Sequence, residues 1–167
     1  MVLPDQNILK YLKSIPWLLE LSPRQVERLT ELATYQEIAA ETVLFEEGSP
    51  ERYLYLLLAG EMCMDMHIPS RGNLCVYTAE PLDIIGWSAL TPVVRGRTVS
   101  ARAIQPCSLL AFESKALFDL CEKDHDIGFF IMRRLSNVAA SYLLTTRLTL
   151  FDLLLRKSAA SVYHSME

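Results

Sequence analysis

The stretch Asp83-Ile84-Ile85-Gly86-Trp87-Ser88-Ala89-Leu90, followed by Arg95-Gly96-Arg97-Thr98-Val99-Ser100-Ala101-Arg102-Ala103, carries the residue types that a small anion needs. Gly86 lets a backbone approach a ligand with no Cβ in the way. Ser88, Ala89 and Leu90 can close a short helical turn whose N-terminal N–H groups face negative charge. Arg97 adds a permanent cation with forked donors that fit phosphate, and Thr98 adds a hydroxyl. One glycine and one arginine also fit a tight turn beside a surface side chain. The chemistry therefore depends on the elements that position them.

Other chemistries find less support. Cys63, Cys75, Cys107 and Cys121 are widely spaced and form no CxxC, and the histidines are His67, His125 and His164. Structural zinc sites and disulfide scaffolds cluster their ligands, so these cysteines read as reduced thiols in a cytoplasm, as small apolar core residues. A cupin-like metal enzyme needs several histidines converging from adjacent strands, and two of the three here fall on or near the terminal helices. No metal site is expected. No Ser or Cys stands in a recognisable activating arrangement, so no catalytic residue is assigned and the chain reads as a non-enzyme.

The elements follow from periodicity. Ile8, Leu9, Tyr11, Leu12 and Ile15 cluster at helical spacing before Pro16. Ser22-Pro23-Arg24-Gln25 starts a second helix with Ser22 as N-cap and Gln25 completing a capping box; Val26, Leu29, Leu32 and Ala33 form its apolar face. From about Tyr35 the pattern changes to short strands: Thr42–Phe45, Tyr53–Leu58, Met62–Ile68, Leu74–Thr78, Val99–Ile104 and Ser108–Phe112, with turns at Glu46–Pro50 and Pro69–Asn73. Met62, Met64, Met66 and Ile68 alternate with Glu61, Cys63, Asp65 and His67, the signature of a half-buried strand. Ser114 can cap a short helix carrying Leu117, Phe118 and Cys121. The fold class expected is mainly β with flanking helices: a double-stranded β-helix, or jelly roll, with short N-terminal helices and a long C-terminal dimerisation helix.

That last helix is expected over Phe129–Glu167, which no Pro or Gly interrupts. Ile127, Ile131, Leu135, Val138, Tyr142 and Thr145 recur at steps of three or four, and are read as a seam for a homodimer. Charge divides at the same point. Residues 1–126 hold 11 Lys/Arg against 18 Asp/Glu, and residues 127–167 hold 5 against 2, together giving the net charge of −4. Two regions are drawn accordingly: helices and β-roll over 1–126, and helix with a short following segment over 127–167. The acidic balance argues against a free-standing nucleic-acid binder. No uninterrupted apolar run reaches the roughly 18 residues that span a bilayer, and no signal peptide is read at the start, so a cytoplasmic protein with no membrane partner is expected. Arg133, Arg134, Arg147, Arg156 and Lys157 read as the solvated face of the helix. Trp17 and Leu18 read as packing the N-terminal helices on the roll.

Taken together, Phe45-Glu46-Glu47-Gly48, Leu56-Leu57-Leu58-Ala59-Gly60-Glu61 and the cassette from Gly86 to Ala103 resemble the cyclic-nucleotide-binding domain of the catabolite-activator and FNR superfamily of regulators. The resemblance covers roughly Ile15 to Asp152. The family places an 11-residue step from its cassette glycine to its phosphate-binding arginine, as from Gly86 to Arg97. It implies a regulatory sensor with ligand-binding residues Gly86, Trp87, Ser88, Ala89, Arg97, Thr98 and Tyr142, taking a cyclic nucleotide or another phosphate-bearing ligand. Tyr142 is included because an ungapped count from Arg97 puts Tyr142 and Leu143 where the family reads the purine, with Thr145 and Thr146 one turn later.

Three departures qualify that implication. Members that bind cyclic AMP follow the glycine with Glu, which accepts from the ribose 2′-OH; Trp87 has a donor and no carboxylate, so it can only stack on a base, fill the sugar pocket or serve as core. The family's iron–sulfur sensors group their cysteines, and its haem-binding members need an axial ligand for which His67 is a weak candidate. Phe151-Asp152 resembles the family's hinge, and Leu153–Glu167 are too few for a helix-turn-helix, so no direct DNA binding by this chain is expected. The alternative is the same fold without a ligand, acting as a dimerisation or protein-interaction module.

Overall fold

Pro16 and Ser22 punctuate the N-terminal helices as the sequence predicts. The computed structural model describes residues 5–50, 52–69, 72–91 and 93–164. Helix α1 (Asp5–Lys13) leads through a 3₁₀ turn (Pro16–Leu18) to α2 (Pro23–Leu32). The capping box forms: Gln25 N donates to Ser22 Oγ, and Ser22 N donates to Gln25 Oε1 at 2.9 Å. Ile8, Leu12, Leu18, Val26 and Leu29 turn their apolar stripes inward together, with Trp17 packed beside them.

Eight strands follow: β1 (Ala33–Ile38), β2 (Val43–Phe45), β3 (Tyr53–Ala59), β4 (Met62–Ile68), β5 (Gly72–Ala79), β6 (Ile84–Ile85), β7 (Ser100–Ala103) and β8 (Cys107–Glu113). They form two antiparallel sheets, ordered β1-β8-β3-β6 and β2-β7-β4-β5. Strands β3, β6 and β8 of the first sheet are buried on both faces, while the edge strand β1 is partly exposed. Leu54, Leu56, Leu110 and Phe112 point into a helix-side core, while Tyr55, Leu57, Leu109 and Ala111 point into a roll-side core shared with Met62, Met64, Val76, Ala101 and Ala103 of the second sheet. Register makes this possible, because Leu56 lies opposite Leu110 and Tyr55 opposite Ala111. Burial on two faces is why Tyr53–Leu58 reads as a continuous apolar run rather than an alternation. Strand β6 is too short to be legible from period alone.

The structure corrects several expectations. Strand β4 is half-buried only in its second half: it lies between β5 and β7, and Cys63 and Asp65 are as buried as Met62 and Met64, while His67 is exposed between Met66 and Ile68. Cys63 and Cys75 are joined by a disulfide across β4 and β5, and Cys75 is exposed; only Cys107 and Cys121 are free and buried. Linear spacing is blind to a hairpin that brings two distant cysteines side by side. Ser114 is the first residue of helix α3 (Ser114–Lys123) rather than its cap, because β8 runs through Glu113 directly into the helix.

Helix α4 (His125–His164) begins before Phe129 and runs through Gly128. A Cβ at Gly128 would lie 2.9 Å from the Cys121 carbonyl oxygen, so the glycine lets α3 and α4 cross closely. Asp124 Oδ1 accepts from Ile127 N at 3.2 Å and from Gln25 Nε2 at 3.0 Å, while Arg28 pairs with Oδ2 at 2.7 Å, which ties the start of α4 to α2. The expected dimer seam points inward instead. Ile127, Ile131, Leu135 and Val138 belong to the helix-side core, and Tyr142 packs on the roll-side core. Phe129, Leu143, Leu144, Leu148, Leu150, Phe151, Leu154 and Leu155 are exposed. A heptad count cannot tell which of two apolar stripes faces the chain's own body.

With apolar residues on both stripes, α4 also carries a long apolar stretch that a search for unbroken runs passes over. Within His125–Leu155 an 18-residue window has a mean hydropathy of 1.4 and is 6% buried, long and apolar enough to cross a bilayer by length and composition alone. Arg133, Arg134 and Arg147 break any uninterrupted run, which hid it. Arg134 itself is half-buried and bonded rather than solvated. Ser70 and Arg71 of the expected turn, the side chains of Arg156 and Lys157, and residues 165–167 lie outside the described residues.

Truncation should separate the two stripes. Ile127→Ala, at a fully buried position, is expected to lower stability by about 2–5 kcal/mol. Leu143→Ala, at 64% exposure, should change the stability of the single chain by less than about 0.5 kcal/mol. Chemical denaturation at low protein concentration checks both.

Candidate functional site

Strand β6 ends at Ile85, and the chain reverses at Gly86, whose φ of 73° lies in the left-handed region, into a 3₁₀ turn over Trp87–Leu90. Eleven residues on, Arg97 returns to this turn and is 4% exposed. Its Nη1 donates to the Gly86 carbonyl at 3.1 Å and its Nη2 donates to the Tyr53 carbonyl. The guanidinium carbon stands 4.2 Å from the centre of the Phe45 ring, close enough for a cation–π attraction. A Cβ at Gly86 would lie 2.1 Å from Arg97 Nη1. Glycine is needed here twice, for the backbone angle and for the arginine's seat.

The loop after β2 fixes the arginine's main chain. Gly48 N donates to Arg97 O at 2.8 Å, and Arg97 N donates to Ser49 O at 3.0 Å. The motif Phe45-Glu46-Glu47-Gly48 thus supplies the ring under the guanidinium and the backbone that holds Arg97 in register. Sequence reasoning noted the motif and gave it no role. Its aromatic residue, three positions before a turn glycine, was the available signal.

The other expected site residues divide between the two cores. Ser88 is buried in the turn and Thr98 is exposed. Trp87 and Ala89 pack against the helix-side core. Tyr142 packs against the roll-side core, its ring 4.7 Å from that of Tyr77. Gly86 and Arg97 are therefore in direct contact, whereas Trp87 and Tyr142 serve different sides of the sheet. Burial, with the neighbouring Tyr77 and Asp65, pushes the Tyr142 phenol well above its ordinary range, and its hydroxyl has no hydrogen-bond partner among the described residues.

A polar link runs from α4 to the turn. Tyr77 Oη donates to Asp83 Oδ2 at 2.8 Å; burial and then that carboxylate push the Tyr77 phenol up to about 12. Arg134 Nη2 donates to the Leu82 carbonyl at 3.1 Å and sits 3.4 Å from Asp83 Oδ1. Leu82 has φ of 77°, a strained angle for a bulky residue, and its N–H donates to Leu57 O at 2.8 Å. Arg134 therefore clamps a strained residue four positions before Gly86. Chemically, the corner offers a buried permanent cation beside the start of a helical turn. Electrostatics of that kind suits an oxyanion.

Gly86→Ala combines the strained angle with the clash, and is expected to cost more than Gly48→Ala. At Gly48, φ is 77° and no atom lies within 4 Å of the added Cβ. Gly48→Ala should lose about 1–2 kcal/mol, and Gly86→Ala at least about 1 kcal/mol more from overpacking. Paired denaturation curves measure the difference.

Comparisons with known proteins agree with this fold. The family model described as cyclic nucleotide-binding domain matches residues 35–124. No curated protein matches significantly. Among solved structures, a cyclic nucleotide-binding domain from Methylobacillus flagellatus KT superimposes with a TM-score of 0.72 at 23% identity, over 92% of this chain and 83% of that one. The sensor domain of the transcriptional regulator DNR from Pseudomonas aeruginosa gives 0.68 at 17% identity, over 80% and 89%. The c-di-GMP responsive global regulator CLP from Xanthomonas campestris gives 0.71 at 18% identity, over 80% and 65%. At these identities the neighbours establish the fold alone, while the family model covers more than half of the sequence and spans both the Phe45–Gly48 loop and the Gly86–Arg97 corner. The chain belongs to the cyclic nucleotide-binding domain family.

Proposed function

We propose that this chain is a regulatory sensor whose β-roll takes a small phosphate-bearing, nucleotide-like ligand at Arg97 and whose α4 carries the response to a second copy. One observation carries the reading: Arg97 is a buried guanidinium seated on the Gly86 turn, at a place where only glycine leaves room for it. A phosphate in this corner would take Nη1 and Nη2 from the Gly86 and Tyr53 carbonyls, exchanging neutral acceptors for a charged one. Trp87 packs on the helix side and offers no carboxylate, so recognition of a ribose 2′-OH is not part of this reading. The expected selectivity follows the phosphate rather than the sugar. The regulator from Xanthomonas campestris, described as c-di-GMP responsive, makes that dinucleotide a natural titrant alongside cyclic AMP and cyclic GMP.

Ligand binding is checked by thermal shift and calorimetric titration. A ligand at a hundredfold its Kd should stabilise the native chain by about 2.7 kcal/mol, or roughly 5–10 °C in Tm at this size. Arg97→Gln should abolish the shift, and Arg97→Lys, which keeps the charge, should retain part of it. No shift with any of the three nucleotides would sink the ligand reading.

The exposed stripe of α4 supports the dimer. Leu144, Leu148, Phe151 and Leu155 recur at steps of four, three and four, and all are exposed in the single chain. Leu148→Glu is expected to convert a dimer to a monomer in sedimentation experiments while leaving the unfolding midpoint of the single chain nearly unchanged. A wild-type chain that sediments as a monomer would remove this surface from the proposal.

A second reading is favoured by the ring of Tyr142 resting on Tyr77 within the roll-side core. In that reading the aromatic pair and the two carbonyls occupy the site permanently, and the chain is a ligand-free interaction module. Tyr142→Ala distinguishes the two: newly gained nucleotide binding by the variant, absent in the native chain, supports the second.

A further inference from the structure

Strands β4 and β5 place a second reactive cluster away from the Arg97 corner. Met62 and Met64 enter the roll-side core, so alternation puts Cys63 and Asp65 on the opposite face of the sheet. Cys75 reaches them from β5, where it lies opposite Asp65 in register, and its sulfur is bonded to that of Cys63 with the Cα atoms 5.7 Å apart. The two sulfurs differ in access: Cys63 is buried and Cys75 is exposed. Asp65 Oδ1 lies 2.9 Å from Cys63 Sγ. Its other oxygen, Oδ2, accepts from Arg102 Nε at 3.0 Å, and Arg102 Nη1 pairs with Glu41 at 3.1 Å. Arg102 thus fixes the carboxylate so that its free oxygen faces the buried sulfur.

We propose that Cys63 and Cys75 form a reversible thiol–disulfide site that exchanges with a small-molecule disulfide of the glutathione class, and that Asp65 biases it toward the dithiol. In oxidation, the Cys75 thiolate attacks one sulfur of glutathione disulfide. A bond forms between Cys75 and that sulfur, and the other glutathione leaves as thiolate. Cys63 then attacks the Cys75 sulfur, closing the internal disulfide and expelling the second glutathione thiolate. The two thiol protons pass to the two leaving thiolates, and the two electrons reduce glutathione disulfide to two molecules of glutathione. Access dictates this order, since an outside molecule reaches only Cys75.

Asp65 makes the pair poised rather than permanent. In the dithiol, the Cys63 S–H can donate to Oδ1, a hydrogen bond to a charged acceptor in a buried place. In the disulfide that proton is gone, and a carboxylate oxygen confronts sulfur lone pairs. An interaction available to the reduced form alone makes a disulfide more easily reduced. The consequence reaches α4 through one strand, because Tyr77, two residues from Cys75, carries the ring on which Tyr142 packs. The proposal does not depend on what Arg97 binds.

The test uses the full chain in buffers of graded glutathione to glutathione disulfide ratio, followed by acid quench, alkylation and mass spectrometry. The expected result is reversible loss of two hydrogens from one chain, mapped to Cys63 and Cys75, with Cys107 and Cys121 alkylated throughout. Asp65→Asn and Asp65→Ser both remove the charge, and either folded variant should raise the equilibrium constant for disulfide formation about tenfold. Cys75→Ser should abolish the reaction and leave Cys63 unmodified. A bond that persists at every ratio, one that never forms, a glutathione adduct that stays on Cys75, or a link between chains would overturn the proposal. So would stoichiometric zinc retained by the reduced chain on Cys63, Asp65 and Cys75, which would mark a metal site instead. An unchanged constant in the Asp65 variants would remove Asp65 from it.

Discussion

A single sheet whose inner strands are covered on both faces governs this molecule. The β1-β8-β3-β6 sheet supports helices on one side and closes the roll on the other, so neither core can be built without it. Each of its inner strands contributes alternate residues to two separate hydrophobic clusters. Each leucine buried there is worth about 1.5–3 kcal/mol relative to exposure, and a polar residue at such a position would need a partner it could not find. The same constraint explains why the Gly86–Arg97 corner sits at the end of β6. There the chain leaves the doubly covered sheet, and a buried charge can find carbonyls to hold it.

Among the described residues, α4 is the one helix that touches both clusters. Its first turns lie in the helix-side core through Ile127 to Val138, and Tyr142 then reaches the roll side. Between them Arg134 grips the carbonyl of Leu82 and sits near Asp83, whose carboxylate also receives Tyr77. The Gly86 turn, the strained residue before it and the long helix are thus mechanically connected through side chains with defined partners. A change at Arg97 that moved the Gly86 carbonyl would be felt at Asp83 three residues earlier, and from there at the helix. On the proposed reading, these contacts are the route by which binding inside the roll would reach the exposed stripe of α4.

Much of this was legible in the residues themselves. The capping box at Ser22, the turn at Gly86 and most strands follow from local rules that burial does not override. The Gly86–Arg97 step identified the corner because its chemistry is local in sequence. What stayed hidden was non-local. The role of Phe45 depends on a loop folding beneath Arg97; the inward face of α4 depends on which apolar stripe meets the roll; and the meeting of Cys63 with Cys75 depends on strand register. Arg134 read as a solvated charge because nothing in its own helix announces the carbonyl of Leu82. Trp87 was legible as a departure from the glutamate of cyclic AMP binders, yet its direction, toward the helices, belongs to the packing of the whole sheet.

The length of α4 gives its seat unusual leverage. From Tyr142 to His164 the helix continues for roughly 33 Å at 1.5 Å per residue. A rigid rod pivoting by about 5° where Tyr142 rests on Tyr77 would sweep its distal end sideways by about 3 Å. Displacement of that size approaches the width of a methyl group, enough to take one leucine row out of mesh with a facing row. A subtle repacking of two aromatic rings could thereby be magnified into a change of quaternary geometry.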